Sequence, residues 1–166
     1  MDGFPSHLAE RTRHRNSVPS PHGSGPVVVW LKSSFRLHEN PAIDLGRHIA
    51  AEHNRPLLIY HGIDERYPHA SLRHHTMLLD AAVDMDEGCR KAGLRYVLHV
   101  ARDGHRPSVM KAFSQSASCI ITDLFPLPPW TNWVDSIAAS AACPVFDVDC
   151  HCVITMPLYE KSVDRP

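Results

Sequence analysis

Apolar residues in this chain come in short runs and helical stripes that alternate along its length. Val27-Val28-Val29-Trp30-Leu31 is an unbroken apolar run, bounded by Gly25-Pro26 before it and Lys32-Ser33-Ser34 after it. A run this short, with no polar position on either side of the pleat, reads as a strand buried on both faces. Beyond a polar stretch, Asn40-Pro41 offers an N-cap followed by proline at the first helical position, and a helical pattern begins. The alternation continues: strands are predicted near residues 27–32, 56–61, 95–100, 118–122 and 145–148, and helices near 41–53, 71–92, 107–115 and 131–141. In the longest of these helices Leu72, His75, Leu79, Ala82, Met85 and Cys89 form one stripe, with Asp80, Asp84, Glu87 and Arg90 opposite. That division marks core packing.

Short apolar strands joined by helical crossovers imply a parallel sheet covered on both faces, and right-handed connections leave few topologies. The predicted fold is α/β: a Rossmann-like five-stranded parallel sheet, order 3-2-1-4-5, with helices on both faces. In that order the chain reverses between the first and fourth strands, so the loops at 33–40 and 123–129 flank a crevice where ligands bind in such sheets. Residues 1–25 carry Arg11, Arg13, Arg15, Pro19, Pro21, Gly23 and Gly25 without apolar periodicity and read as a disordered N-terminal extension.

At 166 residues, 43% hydrophobic and 21% charged, the chain fits one domain with a real core. A formal net charge of −1 argues against a basic nucleic-acid surface, which needs clustered Lys and Arg to neutralise phosphates. No direct nucleic-acid binding by this domain is expected. No apolar run reaches the roughly 20 residues of a membrane span. The five cysteines are odd in number and follow no signal sequence, which fits reduced thiols and a cytoplasmic location.

Candidate chemistry gathers at the crevice loops. Arg36, Glu39 and Asn40 offer a cation, an anion and an amide, enough to orient a polar ligand but without a nucleophile–base pair. The same residues also suit the helix start, Asn40 as its cap and Glu39 against its dipole. Asp123, just after an apolar strand, either accepts a hydrogen bond from a ligand or ends the strand by bonding local amides. Cys150-His151-Cys152 lacks the two-residue spacer of a zinc site. His74 and His75 are adjacent on a helix and point about 100 degrees apart, so no metal ligand set is predicted. No Gly-x-Gly-x-x-Gly or Walker-type loop follows a strand, which argues against nucleotide hydrolysis on a phosphate cradle. No catalytic residue is assigned, and Trp130 and Trp133 are given no redox role.

Several segments together resemble the photolyase/cryptochrome family. Trp30, followed by Arg36-Leu37-His38-Glu39-Asn40-Pro41-Ala42-Ile43, resembles its opening, where a strand ending in tryptophan leads to Arg-(Leu/Val)-x-(Asp/Glu)-Asn-x-Ala-Leu. Three further segments point to the class II cyclobutane pyrimidine dimer photolyases: Ala70-Ser71-Leu72-Arg73-His74-His75 with Met77-Leu78, then Thr122-Asp123-Leu124-Phe125-Pro126-Leu127 with Trp133-Val134, then Val148-Asp149-Cys150-His151-Cys152. Ser33-Ser34 departs from the family's Arg-Asp, and Cys152 stands where the family has asparagine.

In that family an N-terminal α/β domain precedes a longer helical domain that binds FAD, grips a flipped-out pyrimidine dimer and transfers an electron under blue light. The resemblance implies that residues 26–158 are the antenna domain and that 159–166 begin a linker, with the FAD-binding helical domain absent. It implies an antenna chromophore, deazaflavin or folate, near Arg36, Glu39, Asn40, Asp123, Phe125 and His151. The partner it implies is a separate helical photolyase domain, without which this piece is inactive in DNA repair. Two other readings stay open: a non-enzymatic module binding a nucleotide-like ligand or a protein, comparable to universal stress or electron-transfer-flavoprotein domains, and an inert fragment.

Overall fold

The computed structural model describes residues 3–67 and 69–158. Its elements, in chain order, are α1 (Ser6–Ala9), β1 (Thr12–His14), β2 (Val27–Leu31), α2 (Pro41–Glu52), β3 (Leu57–Asp64), α3 (Leu72–Lys91), β4 (Arg95–Ala101), α4 (Val109–Ser116), β5 (Cys119–Asp123), α5 (Trp130–Ser140) and β6 (Val145–Val148), with a 3-10 turn at Met156–Leu158. They build one six-stranded sheet of order β1-β6-β5-β2-β3-β4. The pairings β2–β3, β2–β5, β3–β4 and β5–β6 are parallel, and β1–β6 is antiparallel.

The parallel part reproduces the predicted order, with β2 and β5 side by side where the chain reverses. The strand count does not, because residues 3–25, read as a disordered extension, contain α1 and β1. Thr12, Arg13 and His14 pair with Val148, Asp147 and Phe146. Leu8 is buried, and Phe4 packs edge-on against Phe146 at 5.7 Å. Arg11 Nη1 donates to the carbonyl oxygens of Asp149 (3.3 Å) and Cys152 (2.7 Å), and Arg13 Nη2 to that of Met156 (3.2 Å). The segment is held by its neighbours rather than by its own composition. The linker start read at 159–166, like Met1 and Asp2, lies outside the described residues.

Every residue of β2 and β5 is buried, as an unbroken apolar run in a central parallel strand requires. Val27, Val29, Leu31 and Ile121 face α2 and α3, meeting Ile43, Leu45, Ile49 and Met85. Val28, Trp30 and Ile120 face the opposite layer, meeting Val134 and Ala138 of α5. Gly46 lets α2 lie close on the sheet, since a Cβ there would stand 2.5 Å from Val29 Cγ2.

The stripe read for α3 needs a correction at its start. The buried positions are Leu78, Ala82, Met85 and Cys89, while Leu72 is 85% and Leu79 46% exposed. Met77-Leu78-Leu79 offers several apolar choices, and Leu78, four before Ala82 and seven before Met85, lies above the deeper half of the same face. Among the described residues, no helix is long and apolar enough to cross a membrane.

Candidate functional site

At the point where the chain reverses, the two loops are bonded to each other. Asp123, the last residue of β5, is fully buried and reaches across to the residues after β2. Its carboxylate accepts from the backbone amides of Lys32 (2.9 Å), Ser33 (2.6 Å) and Ser34 (2.6 Å) and from Ser33 Oγ (2.6 Å). Lys32 Nζ lies 3.4 Å from Asp123 Oδ1 and donates to the Asp123 carbonyl at 2.6 Å. Burial works against the Asp123 anion, but the Lys32 ammonium and the serine donors outweigh it and hold the carboxyl below its usual range. Lys32 is itself lowered, chiefly by burial.

The remaining crevice residues extend this clasp. Asn40 is fully buried; its Oδ1 caps α2 by accepting from Ala42 and Ile43 N, and its Nδ2 donates to the carbonyls of Ser34 (3.0 Å) and Arg36 (2.9 Å). Arg36 donates to the carbonyls of Glu39 (3.1 Å) and Cys150 (2.6 Å). Glu39 is exposed, at φ +51°. His151 Nε2 lies 3.0 Å from Ser33 Oγ. Replacing Asn40 with alanine removes the cap and both carbonyl bonds, and is expected to lower stability by about 2 kcal/mol in urea denaturation.

Of the six residues predicted to hold a ligand, Arg36, Glu39 and His151 line a cavity of about 440 Å³ beside α2. Asn40 and Asp123 are bonded inside the protein, and Phe125 packs at a tilt against Trp130 with ring centroids 4.8 Å apart. The six surround the clasp without forming one pocket.

A larger cavity, about 740 Å³, opens on the opposite face of the sheet, where β2, β3 and β4 end against α4 and α5. Trp30, Tyr60, Tyr67, His99, Trp130 and Trp133 supply its aromatic walls. Tyr67 stands 5.5 Å from Trp130 and 6.2 Å from Trp133, and the two tryptophans are 6.1 Å apart. Lys32 Nζ lies 5.2 Å from the centre of the Trp30 ring, which ties the clasp to the cavity wall. Tyr60 Oη and His99 Nδ1 are 3.0 Å apart, and burial pushes the Tyr60 phenol up to about 12, so it stays protonated at neutral pH. At the rim Arg66 pairs with Asp64 at 2.5 Å, and Arg106 reaches Asp64 at 3.4 Å and also bonds Glu65. The bonds from Arg66 hold the Asp64 carboxyl down to about 2.

Sequence reasoning missed this wall because no two of its strand residues are neighbours in the chain. The signal was positional: aromatic side chains at the carboxyl ends of successive parallel strands, and Trp130 and Trp133 three apart on one helix. No group of three or more His, Cys, Asp and Glu side chains among the described residues is placed to hold a metal ion. What the cavity offers chemically is stacking surface with a few fixed polar atoms, a place for a flat ligand.

The family model for DNA photolyase matches residues 27–161 of the chain. The chain is similar to a deoxyribodipyrimidine photo-lyase of Methanothermobacter thermautotrophicus, 29% identical over 146 residues that cover 88% of this chain and 32% of the relative. It is also similar to a deoxyribodipyrimidine photo-lyase of Potorous tridactylus, 26% identical over 135 residues covering 79% of this chain and 25% of the relative. The chain thus spans a third or less of the length of these curated relatives. Among solved structures, a universal stress protein in complex with cAMP is similar at 14% identity and a TM-score of 0.45, over 78% of this chain and 100% of that one.

Proposed function

Because this chain belongs to the DNA photolyase family, we propose that it serves as the light-harvesting α/β domain of a class II enzyme, holding a deazaflavin or a folate in the 740 Å³ aromatic cavity. The observation that carries this reading is the position of that cavity: stacking walls at the carboxyl ends of the strands, beside the point where the chain reverses. When bound, such a chromophore supplies absorption of blue and near-ultraviolet light. The residues' part is to hold it flat and dry. Tyr67, Trp130 and Trp133, packed edge to face on one another, supply its aromatic lining, and the Lys32–Asp123 pair fixes the strand ends beneath them. In this reading DNA repair itself belongs to a FAD-binding helical domain, the proposed partner of this one, and this domain alone does not repair DNA.

The filled clasp weighs against the alternative of a nucleotide-binding module. The amides of residues 32–34, which at such a junction hold phosphates in other proteins, already hold Asp123.

The test is titration of the purified chain with a deazaflavin and with a folate, with ATP as control, followed by difference absorption and tryptophan fluorescence. One chromophore is expected to bind at one per chain, quenching Trp130 and Trp133. Trp130→Ala is expected to weaken that binding at least tenfold while circular dichroism stays unchanged. No spectral change with either chromophore would sink the reading, and saturable ATP binding would favour the nucleotide module.

A further inference from the structure

We infer that the chain pairs with a second copy of itself through the open edge of β4, continuing the sheet across a two-fold axis.

β4 is the last strand of the sheet and has no neighbour beyond it among the described residues. Its seven residues, Arg95-Tyr96-Val97-Leu98-His99-Val100-Ala101, include no proline and no charged side chain after Arg95. Charges and prolines are what normally keep an exposed strand edge from pairing. Val97 and Val100 are both exposed, one on each face of the sheet.

Helix α3 adds an apolar stripe on the same side. At about 100 degrees per residue, the exposed Leu72, Leu79 and Val83 fall within about 40 degrees of one another, to one side of the buried line of Leu78, Ala82, Met85 and Cys89. On the other side of that line Gly88 meets Leu37, where a Cβ would stand 3.2 Å from Leu37 Cδ2. Leu37 follows the central strand β2, so the stripe looks the opposite way, out over the β4 edge. None of these five apolar side chains lines either cavity.

The occupant that fits is the same surface turned about. Antiparallel pairing of β4 with its copy has a two-fold axis perpendicular to the sheet, which keeps both copies of α3 on one face. With His99 on that axis, Arg95 of each chain comes opposite Asp103 of the other. Both are exposed, and Asp103 otherwise has only Arg106 at 3.9 Å. A cation thus meets an anion at each end of the paired strands. α3 runs back along β4 and ends at Lys91, beside the start of the strand. Val83 lies about 12 Å back along the helix from Lys91, and His99 about 13 Å along the strand from Arg95. Val83 and Leu79 therefore come level with the axis, where they face their own copies. One operation satisfies backbone, apolar and charged groups together, whereas an unrelated strand would satisfy the backbone alone.

Sedimentation velocity of the full chain over a range of concentrations, with amide hydrogen exchange at the lowest and the highest, tests the pairing. A reversible species of twice the 18.6 kDa chain mass is expected, with exchange at Arg95–Ala101 slowed at least tenfold where it is populated. Val97→Lys is expected to raise its Kd at least tenfold with circular dichroism unchanged. Arg95→Asp is expected to raise the Kd at least threefold, and adding Asp103→Arg to bring it back. A chain that stays monomeric, a dimer whose β4 amides exchange as in the monomer, or a Kd unmoved by Val97→Lys would overturn the inference. So would a double charge reversal no tighter than Arg95→Asp alone, or assembly that continues past two copies, since a two-fold pair closes.

Discussion

Asp123→Ala is expected to lower folding stability by about 3–5 kcal/mol, the usual loss when one member of a buried ion pair is removed. The substitution strands the Lys32 ammonium, whose side chain is 3% exposed, and leaves three backbone amides without their acceptor. Asp123→Asn keeps an acceptor but not the charge and should fall between. Adding Lys32→Met to Asp123→Ala should recover part of the loss, because the uncompensated charge goes too. Urea denaturation at pH 7 measures all of these, and a loss below about 1 kcal/mol for Asp123→Ala would contradict a stabilising clasp. Because the folded carboxyl titrates below the unfolded one, its contribution is complete above the unfolded value of about 4 and is lost as pH falls through the folded value.

A second loss is expected at milder acidity and from a different group. His61 is 1% exposed, stacks against Phe35 with centroids 4.1 Å apart, and places Nδ1 2.9 Å from Tyr96 Oη. Burial, only partly opposed by the Asp123 charge, lowers it to about 4. An unfolded histidine takes up its proton near pH 6.5, so between about 6.5 and 4 the unfolded chain gains a proton that the folded chain refuses. Stability should fall by about 3 kcal/mol across that window as pH decreases, and be constant in this respect above it. His61→Leu should flatten that acid limb whatever it does to stability at pH 8. Unfolding free energies at half-unit pH intervals compare the two chains; parallel curves would mean that His61 is not the group responsible.

The parallel sheet was legible because its signals are local. Runs such as Val27–Leu31 and the Asn40-Pro41 helix start declare themselves within a few residues. β1 was not legible, since Thr12-Arg13-His14 has no apolar pattern and is a strand only because the backbone of β6 lies beside it. At the site the sequence led to Asn40 as the cap of α2, which it is, but not to the bonds its Nδ2 makes to the loop before it, and Asp123 binds the amides of the loop after β2 in place of local ones. The cavity depended most on three-dimensional placement. Trp30, Tyr60 and His99 come from three separate strands, and only the order of those strands brings them to one wall.

β1 also gives the sheet a direction. By covering β6 it becomes one of the two rims at which another backbone could add itself, a rim of three residues, whereas β4 at the other end is seven residues long. The longer row of unpaired backbone groups is therefore at Arg95–Ala101, at the end of the sheet away from the segment where Arg11 and Arg13 hold residues 149–156. One rim of the sheet thus offers an added strand more than twice the length of backbone that the other does.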